Sequence, residues 1–195
     1  DPAKVETQIK SIFATIPKPL KGEKRTYYEG EMVEGTKVMI GTDPEYDKTL
    51  ISISFQRKPM EMKYRNTSVP YIEAYFDEAI STLLLNRIQS GIVAQNLPVS
   101  NVRIQKGKFM EMNDIDAFTI SFETVPEAVY SSLGFMSGEI NRMAKSGFNN
   151  QEFRSTIENH YRSVESIYDN RFMQPNSRFM DRAMENWFRG FSLAS

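Results

Sequence analysis

Hydrophobic residues recur at helical spacing at both ends of this chain and alternate in short stretches between them. Val5, Ile9, Ile12 and Phe13 share one helical face behind Asp1–Pro2, which reads as an N-cap followed by a proline in the first turn. The pattern stops before Pro17 and Pro19, and a basic loop from Lys18 to Arg25 follows. Thr36 to Thr42 reads as a short strand. Thr49 to Arg57 alternates more clearly, with Ile51, Ile53 and Phe55 on one face and Ser52, Ser54 and Gln56 on the other, the signature of a half-buried strand. A long helix is expected from Val69 to Gly91, capped by Ser68, with Ile72, Tyr75, Phe76, Ala79, Ile80, Leu83, Leu84 and Ile88 forming a wide apolar stripe.

Two more strands are predicted at Val99 to Phe109 and Ile115 to Glu123, joined through Met110–Asp114, with Gly107 marking a bulge or the start of the connection. The remainder reads as helix. Pro126 to Ser146 carries Val129, Leu133, Met136, Ile140 and Met143 and ends at Gly147, a C-cap. Asn149 and Glu152 have capping-box spacing before a helix through Phe153, Ile157, Tyr161, Val164 and Tyr168. Gln174–Pro175–Asn176 interrupts, and a last helix carries Phe179, Ala183, Trp187 and Phe188 before Gly190. This order predicts an α+β fold: a four-stranded or larger, mostly antiparallel sheet with helices packed on one face. It is near the ferredoxin-like topology but opens on a helix, so a strand upstream of Asp1 would complete it. No interior linker divides the chain, which reads as one domain, 1–195, with a helical C-terminal third, 126–190.

Composition narrows the chemistry. The 195 residues are 40% hydrophobic, enough for a real core, and the formal charge of −1 argues against a nucleic-acid surface. The absence of cysteine removes disulfides, thiolate nucleophiles and sulfur-ligated metals, and leaves the compartment open. No apolar run approaches the ~20 residues of a membrane span, and no signal peptide is visible. A chain opening on Asp1 is expected to be a processed form or a piece of a longer protein.

The one histidine, His160, follows Glu158 by two positions, and residues so spaced do not share a helical face. It is expected to be a satisfied or exposed helical histidine and not a zinc ligand. Gly134 and Gly138, four apart, are read as permitting close helix packing. Glu111, Asp114 and Asp116 lack the loop order of a calcium site. The serines lack a nucleophile elbow. Tyr27–Tyr28 and the Phe118/Ile120/Phe122 face lack the signature of an RNA-binding sheet and are read as core. Met136 and Met143 sit at core spacing, whereas Met32, Met60, Met62, Met110 and Met112 fall near element ends, where methionine can line an adaptable surface.

Asp1–Pro2–Ala3–Lys4–Val5–Glu6 at the entry to the first helix and Ile12–Phe13–Ala14–Thr15–Ile16–Pro17 at its end give the chain a resemblance to the second, non-catalytic domain in the N-terminal half of M16 (pitrilysin/insulinase-like) zinc peptidases. Ile40–Gly41–Thr42–Asp43 followed by Ile51–Ser52–Ile53–Ser54–Phe55 resembles its paired strands. Leu84–Leu85–Asn86–Arg87–Ile88 matches, with a one-residue offset, its "h-L-N-x-R-h" helix, where h is apolar. Gly147 to Phe153 matches "G-[FIV]-T-x-x-E-h", and Asn176 to Gly190 resembles the closing helix.

The resemblance implies a LuxS–MPP-like metallohydrolase domain whose first strand is missing. It implies a structural share in the wall of a clamshell protease that hydrolyses extended peptides. Catalytic, cofactor-binding and metal residues are then all absent from this chain, because the zinc and its H-x-x-E-H motif belong to a preceding catalytic domain. The implied partners are that domain and the second half of the clamshell, with no nucleic acid; the implied setting is the bacterial periplasm or cell envelope, the cytoplasm remaining open. The family's Arg and Tyr for the substrate carbonyl lie in an R-x₆-Y pattern. Arg87 has Ala94 where the tyrosine would stand, so it receives no transition-state role and is expected to support structure, as is Asn86. Two other readings stay open: a zinc-less scaffold or assembly subunit, and a stand-alone ferredoxin-like binding protein.

Overall fold

The computed structural model describes residues 1–17, 26 and 28–189. The expected basic loop, Tyr27 and the closing Gly190 lie outside these residues. Helix α1 spans Pro2–Ala14, and the Asp1 carboxylate accepts the Ala3 N–H at 3.1 Å, the predicted cap. Strand β1 is Thr49–Arg57. Helix α2, Val69–Gln95, begins where Ser68 places it, but the hydroxyl that serves its first turn is Thr67 Oγ1, which accepts from the Val69 N–H at 3.2 Å. It runs past Gly91 to Asn96, whose left-handed backbone (φ 50°, ψ 46°) ends it. One glycine costs a helix only about 1 kcal/mol, and just past it Ile92 continues the apolar face, partly buried against the core.

Strands β2 (Val99–Lys108) and β3 (Asp116–Thr124) follow, then α3 (Val129–Ser146), α4 (Asn150–Asp169) and α5 (Asn176–Arg189). Among the described residues the sheet has three strands in the order β1–β3–β2, both pairings antiparallel. The predicted strand over 36–42 does not join it. That stretch has no regular structure, and Val38, Met39 and Ile40 are 78, 93 and 87% exposed. Strand-like composition supplies a preference, and a strand also needs a partner's backbone to complete its ladder. The sheet's irregularity falls between Ser100 and Arg103, with Asn101 at φ 51°, and not at Gly107, which pairs in regular register with Ala117.

Register aligns the apolar rows. Ile53, Ile120 and Ile104 lie side by side across the three strands, and Ile51 lies beside Phe122. On the opposite face Ser54 and Thr119 share a hydroxyl hydrogen bond at 2.9 Å. The apolar face meets α2 and α3, and the core there is Leu84, Ile88, Ile120, Phe122 and Met136, each with no exposed surface. Burying side chains of this size is worth roughly 1.5–3 kcal/mol apiece. Thr124 closes the end of this layer, bonding Ser132 Oγ at 2.9 Å and donating to the Pro98 carbonyl at 3.0 Å, so neither buried hydroxyl is left unsatisfied.

Close helix approach occurs where it was not expected. A Cβ on Gly134 or Gly138 would meet open space, whereas one on Gly91 would stand 2.5 Å from the Phe135 ring. The glycine that lets α2 and α3 approach is therefore Gly91. Helices α1 and α5 differ from the others: no residue of α1 is buried, and Phe179, Met180, Met184, Trp187 and Phe188 of α5 are all exposed.

Candidate functional site

Arg87 sits at the centre of a densely bonded polar cluster. The α2 stripe is buried through Leu84 and Ile88, which turns the intervening Arg87 toward the junction of α3 and α4. There Nε and Nη2 donate to the two oxygens of Glu152 at 3.1 and 2.8 Å, and Nη1 donates to the Gly147 carbonyl at 3.2 Å. The guanidinium carbon lies 4.6 Å from the centre of the Phe148 ring. Glu152 is held from the other side by its capping box, accepting the Asn149 N–H at 2.8 Å while its own N–H donates to Asn149 Oδ1 at 2.9 Å.

The ion pair is mostly screened from water, with side chains 15 and 31% exposed for Arg87 and Glu152. The hydrogen bonds from Arg87 hold the Glu152 carboxyl below its ordinary range against the opposing effect of desolvation, and the Asn149 N–H assists. In turn the Glu152 carboxylate raises the Arg87 guanidinium, with burial opposing and the Glu139 charge adding to it. The expected support role for Arg87 thus finds a concrete form, but the carbonyl it meets belongs to the C-terminus of α3 and not to its own helix. Two segments quoted for the resemblance, Leu84–Ile88 and Gly147–Phe153, meet here. Their contact was not legible in either one, because 65 residues separate Arg87 from Glu152.

The remaining candidates do not converge. His160 packs edge-on against Tyr75 of α2, ring centres 5.0 Å apart, as a half-buried helical residue. Asp114 accepts the Gly30 N–H, and Asp116 pairs in register with Arg57. Ahead of Asp114, Met110 and Glu111 hold left-handed backbones at φ 49° and 62°. No group of three His, Cys, Asp or Glu side chains that could hold a metal occurs among the described residues. Met32, Met62 and Met110 are exposed, whereas Met112 is packed under Gly30 and Met60 is half-buried. They do not form one methionine surface. Phe118, Ile120 and Phe122 face the helices, as expected of core, while Tyr28 is exposed.

Two polar features were missed. Glu139 lies on the core face of α3, buried, with Oε1 3.2 Å from Arg142 and Oε2 without a hydrogen-bond partner among the described residues. Its spacing from Ser132 and Met136 on one helical face is the signal that marks it. Glu123, on the solvent face of β3, accepts from the Tyr46 hydroxyl at 3.1 Å and from Lys48 Nζ at 3.2 Å. The Asn101 side chain, then Lys48 and Tyr46, hold its carboxyl below the ordinary range, and the same contact raises the Tyr46 phenol.

No known family model matches the sequence, and no curated protein matches it either. Solved structures do. The periplasmic protease PqqL from Escherichia coli superposes with a TM-score of 0.73 at 15% identity, over 100% of this chain and 21% of that one. The crystal structure of the first half of PqqL gives the same TM-score and identity, with 41% of its length covered. A predicted insulinase family protease from Yersinia pestis gives 0.67 at 13% identity, over 98% of this chain and 40% of that one. The chain shares its fold with these stretches of PqqL and of the insulinase family protease. It spans less than half the length of each of these neighbours. No helix among the described residues is long and apolar enough to cross a membrane.

Proposed function

We propose that this chain is a non-catalytic structural domain of an M16-type metalloendopeptidase, forming part of the wall of its substrate chamber. The observation that carries the reading is the superposition of the whole chain on a portion of a larger periplasmic protease, 21% of PqqL and 41% of its first half. The apolar faces of α1 and α5, exposed here, are consistent with burial against neighbouring domains. On this reading the domain packs against a catalytic domain elsewhere in the parent, which holds the zinc and the peptide-cleaving groups, and excludes folded proteins by size. Extended peptides are the substrate class. A four-stranded or larger, ferredoxin-like sheet in the parent and a place in the cell envelope belong to the same proposal.

The test is elemental analysis after dialysis, together with hydrolysis of unstructured peptides. The chain alone is expected to retain no stoichiometric zinc and to turn over no peptide. The same chain joined to the rest of its parent is expected to do both. One tightly held zinc per isolated chain with chelator-sensitive turnover would overturn the assignment. A parent that binds no zinc would leave a scaffold role in its place.

A further inference from the structure

We propose that Glu139 is a second partner for Arg87, and that the guanidinium passes between Glu152 on α4 and Glu139 on α3, loosening α4 from α2 in one arrangement and holding it in the other. Three observations support it. The first is that Glu139 is buried with its charge incompletely met. Its side chain is 5% exposed, Oε1 lies 3.2 Å from Nη1 of Arg142, and Oε2 has no hydrogen-bond partner among the described residues. Arg142 is 63% exposed and shares its charge with water, so it offsets little of the desolvation of that carboxylate. A carboxylate held this way costs stability unless a better-buried cation reaches it.

The second is placement. Gly91 lies against the Phe135 ring, and Arg87 Nη1 reaches the Gly147 carbonyl at 3.2 Å, so α2 and α3 run antiparallel. One turn back along α2 from Gly91 is Arg87, and one turn on along α3 from Phe135 is Glu139, which sets both at one level of the helix contact. The Glu139 charge already acts on the Arg87 guanidinium beside that of Glu152. The third is donor capacity. Three of the five guanidinium N–H groups serve Glu152 and Gly147, which leaves one on each Nη for a further acceptor. The exchange leaves α4 folded, because its capping box joins only Asn149 and Glu152. What opens is the tie between α2 and the start of α4, while His160 keeps the middle of α4 against Tyr75. Glu139 thereby allows α2 to release α4 without stranding a buried guanidinium.

The test is whether the effect of one substitution depends on the other. Glutamine keeps the shape of both carboxylates and itself serves in a capping box, so Glu152→Gln removes the charge and spares the cap. In urea unfolding of the full chain, Glu139→Gln alone should lower the folding equilibrium constant by no more than about threefold, since it removes a poorly matched buried charge. In the Glu152→Gln chain the same change should lower it by about tenfold or more, the worth of a charged hydrogen bond. Exchange of the Arg87 Nε–H, followed by NMR, separates this from a general loss of packing. Glu152→Gln should leave that proton about tenfold or more slower than in an unstructured peptide, and adding Glu139→Gln should remove the protection. Equal effects of Glu139→Gln in the two chains, a Glu152→Gln chain that does not fold, loss of protection in Glu152→Gln alone, or protection that persists in the double variant would each overturn the proposal.

Discussion

The central strand with its two covering helices and the two terminal helices carry the same kind of hydrophobic pattern and meet opposite fates. In β3, α2 and α3 the apolar residues end fully buried at Phe122, Ile120, Leu84, Ile88 and Met136. In α1 and α5 an equally regular stripe stays exposed, with Trp187 at 71% and Ile12 at 66%. Periodicity records that a helix has one face to bury. It does not record what covers that face, since the hydrophobic effect is non-directional and scales with area removed from water. The contrast divides the chain into a part that stabilises itself and a part whose apolar surface is available to something else.

Truncation in the core should produce the largest effect. Phe122→Ala is expected to cost about 3–5 kcal/mol, the range for emptying a packed aromatic site, and Ile120→Ala about 2–5 kcal/mol. Urea unfolding monitored by circular dichroism measures both, and losses below 1 kcal/mol would mean that the core is not the one described. Next comes the α2–α4 clamp. Arg87→Ala is expected to cost ~1–3 kcal/mol, because Glu152 is left partly buried with its main partner gone. Its pH dependence has a definite sign. Glu152 is depressed in the folded state, so its contribution is full above its ordinary value near 4.5 and is lost as pH falls through the lower folded value. The stability gap between native and variant chains should therefore be widest near neutrality and shrink in acid. A constant gap would assign the loss to packing on Phe148 instead.

Glycine substitutions sharpen the boundary through their sign. Gly91→Ala places a methyl against the Phe135 ring and is expected to destabilise by ~1–2 kcal/mol, overpacking outweighing the helix-propensity gain. Gly134→Ala and Gly138→Ala meet open space within α3 and should stabilise by about 0.5–1 kcal/mol. Thermal melts of the three variants are sufficient. The smallest changes belong to the terminal helices: Ile9→Ala and Phe179→Ala should stay within ~0.5 kcal/mol in this chain. A larger loss would show that these faces are packed in solution.

Much of the fold was legible because its signals are local. The Asp1 cap, the Asn149–Glu152 capping box, the Gly147 stop and the alternation in β1 as far as Ser54 each rest on contacts within a few residues, and each has its expected place in the structure. The failures share a cause. A strand at 36–42 and close packing at Gly134 and Gly138 both depend on which distant backbone arrives beside them. The candidate site divides the same way. Support by Arg87 was readable from its place beside the Leu84 and Ile88 stripe, while Glu152, Gly147 and Phe148 as its partners were not.

By itself, then, the sequence determined the helices, the apolar faces, the caps and the exclusion of thiol chemistry, because these follow from backbone sterics, side-chain period and residue inventory. Only the tertiary structure decided that Gly91 and Phe135 meet, that β3 is the central strand, that His160 packs on Tyr75, and that α1 and α5 keep their stripes in water. Those outcomes depend on pairings across tens of residues. A local pattern can favour many such pairings equally, and the collective packing of one core selects among them.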